Sequence, residues 1–441
     1  MLNLNCKIKV YETDNLHPTG NIYQFTHVEN IHIKSSYKNF TDTAVITMPK
    51  KIVSNKFNNA SGLGTVINKA FPILKEVSIN EFLKQDYYIE VFLGYDGNYK
   101  PAFRGYIREV KGDAPVEIIC DDMMYYLKKY KMAPAITAET EKDYKNSIPK
   151  NSSYTVDDPV MALEERLKEI NLPFDMPIIA MEDIGSVVIK REVNIVQFLQ
   201  ILKKEYDIYS YFKLEEVNGV YKSVLHITNN PCMYDTIEVN EILSKYKNEE
   251  VITQLPKTIL NKAVSVLGLD DVFKFFTTSD TYIGEAALRF HYNIISDTLK
   301  VKESEVTSFK VRAEEFLINS NTPIAAEVGD TEGKLLKKYT FHNNNEELEV
   351  ANELVYKKKE QEIQAKLEAV AGLRLAKEKK QGLTGAITTF GEPFMRPLDK
   401  VYLQNAEEVE KEGLFQVEEV ERTYGVNGYR QILTLGRVLT K

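Results

Sequence analysis

Paired acidic residues are the features of this sequence that could most readily do chemistry. A general acid and a general base could in principle come from three doublets: Asp121-Asp122, Asp157-Asp158 and Asp270-Asp271. Neighbouring residues of a strand point to opposite faces, however, and Asp158 stands directly before Pro159, where a helix N-cap is expected. We therefore predict structural roles for all three doublets.

No other group of residues has the spacing of a catalytic or metal site. There is no HxH, HExxH, G-x-S-x-G, P-loop or kinase signature. The six histidines are scattered singly along strand-like or loop-like segments: His17, His27, His32, His226, His291 and His342. The sequence predicts no catalytic, cofactor-binding or metal-binding residue, and hence no enzyme.

The cysteines Cys6, Cys120 and Cys232 are far apart and lie in or beside strand-like segments. This spacing favours neither a disulfide framework nor a CxxC metal site. Buried free thiols are predicted.

Two glycine-containing stretches could be mistaken for phosphate-binding loops. "GVNG" (Gly425–Gly428) has strand-forming segments on both sides, so it predicts a hairpin turn and not a loop that opens into a helix. "NNASGLGTVIN" lacks a third glycine and a strand–helix context, which favours a simple connection.

Composition indicates a folded, multidomain chain without nucleic-acid or membrane partners. The chain has 441 residues, of which 43% are hydrophobic and 27% charged, so two to four domains are expected. A formal net charge of −8 argues against a nucleic-acid scaffold. No apolar run reaches the length of about 18 residues that a membrane span needs, and the N-terminus lacks a signal-peptide pattern, which predicts synthesis and retention in a cytoplasm.

The elements that must position these residues are mainly strands. Residues 1–132 contain short alternating runs separated by turn signals, which predicts a small β-barrel or sandwich. A polar, proline-punctuated linker begins near Ala133, and a small α/β domain follows to residue 233. Its two helices are predicted to start at Asp158-Pro159 and at Asn194, with Gln197 completing a capping box.

Strands dominate again over residues 234–441, together with one long helix at about 346–380. Leu348, Ala351, Val355, Ile363, Leu367 and Val370 give that helix a broken apolar stripe, and "YKKKEQE" within it is polar on all sides. The helix is therefore expected to project, or to pack over only part of its length. The predicted class is α+β, mainly β.

A weak internal sequence similarity, which we call the sequence echo, connects the two β-rich parts. "IREVK" (Ile107–Lys111) and "VEEVE" (Val417–Glu421) share a pattern, and each is followed by a turn and a closing strand, "PVEIIC" and "YRQILTL". Both end a β-rich block. A duplicated β module separated by a small α/β insert is the interpretation that this placement favours.

The C-terminal stretch "LTGAITTFGEPFMRPLDKVYLQNAEEVEKEGLFQVEEVERTYGVNGYRQILTLGRVL" resembles the C-terminal module of phage baseplate hub proteins. The matching segments are Thr388–Pro393, Pro397–Val401, Gly413–Val420 and Tyr424–Tyr429. Leu398 takes the place of the glycine that the family pattern has before the aspartate. The stretch "FRGYIREVKGDAPVEIICDDMMYYLKK" is similar to the first barrel of the same family.

The resemblance implies a homotrimer in which each chain provides two similar β-barrels, so that three chains form a ring of six. Such a ring joins the sixfold tail tube to the threefold central spike, and the implied partners are the tube protein, the spike protein and other baseplate proteins. The implied site of assembly is the baseplate of a virion tail or of a contractile injection particle. No spike-like or lysozyme-like segment follows Lys441, so the chain is expected to be a hub alone.

Two other functions remain open at this point. One is a cell-wall hydrolase of a tail tip, which should act on peptidoglycan and lose activity on replacement of Asp121 or Asp157. The other is a receptor-binding or tail-fibre adaptor, which should bind cell surfaces when isolated.

Overall fold

The fold is built from three groups of strands and a few helices, and we describe it from a computed structural model. The structure describes residues 3–54, 75–79, 83–112, 114–132, 153–156, 158–180, 184–185, 187–190, 192–217, 220–229, 231, 285–302, 309–317, 323–330, 333–343, 361, 363–365, 367–368, 371–372, 375, 382–404 and 408–440. Strands greatly outnumber helices among these residues, so the predicted α+β, mainly β class is confirmed.

The first β-rich part alternates buried and half-exposed residues along its strands. On the first strand Cys6, Ile8 and Val10 face the core while their neighbours face outward, which is the period of two that a half-buried strand requires. The strands are β1 (Leu4–Asp14), β2 (His17–Phe25), β3 (Asn30–Ser36), β4 (Thr43–Met48), β5 (Lys51–Ser54), β6 (Lys75–Ser78), β7 (Tyr88–Tyr95), β8 (Asn98–Lys111) and β9 (Val116–Asp121).

A small α/β unit follows. Its elements are α1 (Met124–Leu127), β10 (Ser153–Val156), α2 (Pro159–Lys168), β11 (Asp175–Ala180), β12 (Val187–Lys190), α3 (Ile195–Tyr206), β13 (Tyr209–Val217) and β14 (Val220–Thr228). The predicted helix starts are confirmed: Asp158 caps α2 by accepting from Met161 N, and Asn194 and Gln197 form the capping box of α3. The sheet order is β11-β14-β13, with β11 parallel to β14.

The second β-rich part carries an additional small sheet. Its elements are β15 (Glu285–Arg289), β16 (Ile294–Asp297), β17 (Lys300–Lys302), β18 (Phe309–Leu317), β19 (Ile324–Gly329), β20 (Lys334–Asn343), β21 (Gly382–Thr384), β22 (Ala386–Phe390), β23 (Lys400–Gln404), a 3-10 turn (Val409–Lys411), β24 (Gly413–Gly425) and β25 (Gly428–Thr440).

The described part of the predicted long helix packs on a sheet. Residues 361, 363–365, 367–368, 371–372 and 375 are helical, and the rest of the predicted span lies outside the described residues. Ile363 and Leu367, both on the predicted stripe, pack with Val311, Ala313 and Tyr339 of the sheet β19-β18-β20. This stretch of the helix is therefore supported by burial of its apolar face.

One sheet of 13 strands runs through both β-rich parts. Its order is β16-β22-β25-β24-β3-β4-β9-β8-β7-β1-β2, and β23 and β15 branch from β24. The junction between the parts is the antiparallel pair β24–β3. No pairing among the described strands closes either part into a barrel, so barrel closure stays a prediction.

The "GVNG" stretch is a hairpin turn, as predicted. Gly425 of β24 pairs with Gly428 of β25, so the loop consists of Val426 and Asn427. The positive φ angle that the turn needs falls on Gly428 (94°). The Val426 side chain at the tip is 96% exposed.

The two β-rich parts follow the same strand order. In the first part β3-β4-β9-β8-β7 are consecutive antiparallel neighbours, and in the second part β16-β22-β25-β24-β23 are. The five strands of each set also occur along the chain in the same order, so that each strand of the first set has an equivalent in the second. The sets diverge only beyond them, where β1 is antiparallel to β7 but β15 is parallel to β23.

The sequence echo occupies equivalent places in the two sets. The register of β8 against β9 shifts between Ile107 and Glu109, and that of β24 against β25 shifts between Val417 and Glu419. When "IREVK" is aligned with "VEEVE", the two register shifts fall at the same aligned positions. The echo therefore marks an irregularity of backbone pairing that both parts share.

A turn with a left-handed residue precedes β7 and β23 alike. Asp86 has a φ of 71° and Leu398 a φ of 74°. Asp86 N donates to Ile107 O at 2.8 Å, and Leu398 N donates to Val417 O at 2.8 Å. Leu398 thus holds the backbone conformation that glycine adopts most readily, although it stands where the family pattern has glycine.

Replacing Leu398 by glycine should remove this backbone strain. We expect Leu398→Gly to exceed Leu398→Ala in free energy of unfolding by about 1 kcal/mol, because alanine keeps the unfavourable positive φ while it loses the same side-chain contacts. Urea unfolding of the two variants measures the difference. Equal stabilities would show that the turn relaxes to another conformation.

Candidate functional site

The junction where the two β-rich parts and the α/β unit meet is the candidate functional site. Its backbone frame is the β24–β3 pair, in which Glu419–Gly425 run antiparallel to Asn30–Ser36. The same stretch of β24 pairs on its other side with β25. A central strand of this kind has all its backbone groups satisfied only while both neighbours are present.

Opposite charges line the exposed face of the junction. Lys34 Nζ lies 2.9 Å from Glu419 Oε1, and Lys38 Nζ lies 2.5 Å from Glu418 Oε2. His32 Nε2 is 2.5 Å from Glu421 Oε1. The first part therefore contributes basic residues and the second part acidic ones. Such half-exposed pairs contribute little stability each, but they select the register and the partner.

Aromatic residues of the second part enter the core of the first. Phe394, Tyr424 and Tyr429 belong to the same buried cluster as Ile31 and Ile89. These three residues of the second part thus share the core of the first part, while the second part also has a separate core of its own.

Tyr95 bonds this shared core to the second part. Its hydroxyl donates to Tyr429 O at 3.0 Å and accepts from Gly391 N at 3.2 Å.

Glycines at the junction allow the close approach of backbone and ring. A Cβ atom on Gly391 would lie 1.9 Å from the ring of Tyr429. A Cβ atom on Gly425 would lie 2.9 Å from the carbonyl oxygen of Glu29, the residue before β3. Packing against these neighbours accounts for Gly391 in the motif segment "TTFGEP" and for Gly425 in "YGVNG".

Two arginines, one from each β-rich part, hold the β13–β14 hairpin of the α/β unit. Arg104 donates to Tyr221 O and pairs with Glu90 at 3.0 Å. Arg396 donates to Leu214 O. The hairpin is therefore fixed to both parts at once.

A third arginine, Arg422, is buried within the junction. Its guanidinium lies 4.4 Å from the centre of the Phe394 ring and donates to Met395 O. Arg422 is on β24 opposite Ile33 of β3, so its charge is placed between the two parts.

These arginines line a partly open cleft, together with the carboxyl groups of Asp42 and Asp122. Asp42 N donates to Asp122 Oδ2 at 3.0 Å, and Ser36 N donates to Asp42 Oδ1 at 3.0 Å. Loss of hydration raises the pKa of Asp42 to about 7, against the opposing hydrogen bond from Ser36 and the charge of Arg422. Loss of hydration and the neighbouring Asp42 carboxyl also raise the pKa of Asp122.

The acidic doublets of the sequence do not converge on a catalytic centre. Asp121 is buried and pairs with Arg108 at 2.8 Å and Lys128 at 2.9 Å. Asp122 accepts backbone hydrogen bonds and Asp158 caps a helix, which are structural roles. Asp157 and Asp270-Asp271 lie outside the described residues. Asp42 was missed by sequence reasoning, since nothing near it in sequence indicates that it meets Asp122.

The described histidines are dispersed. His17 lies against Tyr126, His32 pairs with Glu421, and His226 stacks on Tyr211 with its Nε2 atom 2.9 Å from Glu215. Within the described parts of the chain, no group of three or more His, Cys, Asp or Glu could hold a metal ion. Cys6 and Cys120 are buried free thiols, as predicted, and Cys232 is outside the described residues.

The junction holds the two β-rich parts and the α/β unit together through backbone pairing, a shared core and hydrogen bonds. The charged groups described above bond to the backbone or to an opposite charge, and the pairs Lys34–Glu419, Lys38–Glu418 and His32–Glu421 join the two β-rich parts. Where the chain is described, none of its helices is long and apolar enough to cross a membrane.

A methyl group at Gly391 should disrupt the junction. We expect Gly391→Ala to lower the free energy of unfolding by about 3 kcal/mol, because the Tyr429 ring and its neighbours must shift. Gly372→Ala is the matched control: it has no atom within 4 Å of the added Cβ and lies in a helix, so it should raise stability by about 0.5–1 kcal/mol. Thermal and urea unfolding measure both. A harmless Gly391→Ala would contradict the described packing.

Removal of the Asp42 charge should change how stability depends on pH. Because folding raises the pKa of Asp42 from 3.8 to about 7, the folded chain holds this proton more tightly and loses stability as pH rises through that window. We expect the stability of Asp42→Asn relative to wild type to increase by up to about 4 kcal/mol between pH 4 and pH 8.

Urea titrations across this pH range test the effect of Asp42. Asp158→Asn serves as the control, since Asp158 is exposed and Asn caps helices equally well. A pH-independent difference between Asp42→Asn and wild type would overturn the expectation.

Comparison with solved structures gives matches along nearly the whole chain. A tail protein from Neisseria meningitidis has a TM-score of 0.47 and 12% identity, with 98% of this chain and 96% of that chain covered. The 43 kDa tail protein of prophage MuSo2 from Shewanella oneidensis has a TM-score of 0.44 and 12% identity, with 98% of both chains covered. Prophage tail protein gp18 from Listeria monocytogenes has a TM-score of 0.43 and 10% identity, with 99% and 95% covered.

All three are described as tail proteins, and two of them come from prophages. No protein-family model matches the sequence, and no curated protein matches it.

Proposed function

We propose that the chain is a structural baseplate hub of a contractile tail or of a phage-derived injection machine. The observation that carries this proposal is the repeated strand order β3-β4-β9-β8-β7 and β16-β22-β25-β24-β23, joined within one chain by β24 and β3. The C-terminal motif that resembles hub proteins lies in the second of the two sets. We infer that each set is one module of a duplicated pair, over residues 1–132 and 234–441.

A duplicated module gives a simple solution to a change of symmetry. Three copies of a chain with two equivalent modules present six similar faces to a sixfold tube and three identical faces to a threefold spike. The rigid junction then sets the angle between successive modules. In this function the chain is a homotrimer that binds the tube protein, the spike protein and other baseplate proteins, and no residue is catalytic.

The function is tested by the state of the chain in the assembled particle. Electron microscopy of particles should place three copies in a ring that continues the tube lumen. A monomer or dimer at that position would refute the proposal, whereas a monomer in isolation would not, because trimerisation can depend on the tube.

Deletion of Phe415–Lys441 should abolish assembly. The deletion removes β25 and nearly all of β24, and it leaves the backbone groups of β3 and β22 on that side unpaired. We expect no incorporation of the truncated chain into particles, measured by microscopy and by light scattering with the tube protein. Val426→Ser is the control, since it changes only the exposed hairpin tip. Normal incorporation of the truncated chain would contradict the proposal.

A tail-tip cell-wall hydrolase or a cell-surface adaptor would behave differently. The purified chain would then degrade peptidoglycan or bind cells in the absence of other tail proteins. The buried, doubly paired state of Asp121 does not suit a catalytic acid or base of a hydrolase.

A further inference from the structure

The cleft at the junction has the composition of a site for a small anionic group. Its walls come from both β-rich parts and from the β13–β14 hairpin of the α/β unit. Most of its other lining residues are apolar or aromatic, and such walls with a few convergent polar groups are typical of ligand sites. The charged residues that line it are four basic and two acidic ones: Arg104, Lys213, Arg396, Arg422, Asp42 and Asp122.

Two of the arginines share one aromatic ring of the cleft. The guanidinium carbons of Arg396 and Arg422 lie 5.4 Å and 4.4 Å from the centre of the Phe394 ring. Both arginines are buried, with 6% and 2% of their surface exposed. Like charges that are close together and largely removed from water repel each other, so a negative charge that reaches both of them is favourable.

Hydrogen bonds to the main chain position these two arginines. Arg396 donates to Leu214 O, and Arg422 donates to Met395 O. Carbonyl oxygens carry no formal charge, so these bonds orient the guanidinium groups without neutralising them. Asp399, whose carboxylate accepts from Arg396 N, supplies one negative charge beside the pair.

Arg104 contributes a third guanidinium group from the first β-rich part. It pairs with Glu90 at 3.0 Å and donates to Tyr221 O. Its Nε atom is buried and has no hydrogen-bond partner among the residues that the structure describes. A buried donor in this state costs free energy, which an acceptor atom of a ligand in the cleft would recover.

The two carboxyl groups of the cleft compete weakly for the arginines. Ser36 N donates to Asp42, and Asp42 N and Met124 N donate to Asp122, so main-chain groups already hold both carboxyls. Loss of hydration raises the pKa of Asp42 to about 7 and also raises the pKa of Asp122. Near neutral pH, protonation therefore removes part of their negative charge, and the basic residues of the lining predominate.

We propose that the cleft binds a carboxylate that carries an apolar group, with Arg104, Arg396 and Arg422 as the residues that bind it. The planar fork of a guanidinium group matches the two oxygens of a carboxylate, and the aromatic walls suit the attached apolar group. Two sources offer this chemistry: a free organic acid, and the C-terminus of a peptide that ends in an apolar residue. The proposed hub function does not depend on this site.

Calorimetric titration of the whole chain with benzoate tests the site. We expect benzoate to bind at least about tenfold more tightly than benzamide, a neutral analogue of similar shape, because the arginines favour the charged group. Arg104→Gln and Arg396→Gln should each weaken benzoate binding at least about fivefold, since each removes one charged donor group. Lys222→Gln is the matched control and should bind benzoate like wild type, because Lys222 is on the same hairpin but pairs with Asp175 outside the lining of the cleft.

Two peptides distinguish the sources of the carboxylate. A tripeptide that ends in phenylalanine is titrated with its C-terminal carboxylate free and with that group amidated. Tighter binding of the free-acid peptide than of both benzoate and the amidated peptide supports a protein C-terminus as the ligand. Tighter binding of benzoate than of the free-acid peptide supports a free organic acid.

Several results would overturn the site while the hub function stands. One is equal binding of benzoate and benzamide, and another is the absence of binding by benzoate and by the free-acid peptide. A third is unchanged benzoate binding by Arg104→Gln and Arg396→Gln, with circular dichroism showing that both variants fold. The comparison of benzoate with benzamide uses the wild-type chain, so it decides the question even when a variant misfolds.

Discussion

The pairing of β24 with two different sets of neighbours is the constraint on which the rest of the structure depends. Its first residues pair with β23, and its later residues, Glu419–Gly425, pair with β3. Register shifts between Leu414 and Glu419 separate the two stretches. Irregularities of this kind bend and twist a strand, which lets one strand serve two sheets. The relative position of the two parts is thereby set by backbone hydrogen bonds, which tolerate far less variation than side-chain contacts.

Once the backbones are fixed in this way, the side chains around the junction have little freedom. Gly391 must be glycine because the Tyr429 ring occupies the space of a Cβ atom, and Tyr429 is held there by the core of the first part. Arg104 and Arg396 can both reach the β13–β14 hairpin only because the two parts are already in place. The half-buried carboxyl of Asp42 and the buried carboxyl of Asp122 are the least favourable consequence, since the same closure removes much of their hydration.

Local features of the fold were predictable from the sequence, whereas the junction was not. The caps at Asp158 and Asn194 and the "GVNG" hairpin depend on neighbouring residues, and their signals were clear. The echo of "IREVK" and "VEEVE" indicated equivalent strands, but five positions cannot show a shared register. The β3–β24 pair joins residues almost 400 positions apart, and neither strand carries a signal that selects the other. The meeting of Asp42 and Asp122 depends on the β4–β9 pairing and was invisible for the same reason.

The places where the two sets differ indicate how a repeated module acquires separate tasks. Six residues join β3 to β4, whereas the equivalent connection in the second set contains the sheet β19-β18-β20. Insertion at a connection leaves the pairing of the flanking strands intact, because the ends of those strands remain neighbours. The sequences of the paired strands are thus constrained in both sets by the need to keep their pairing. The sequences of the connections are not constrained in this way. Binding surfaces that distinguish one module from the other are accordingly expected on the connections, while the strands keep the geometry that both modules share.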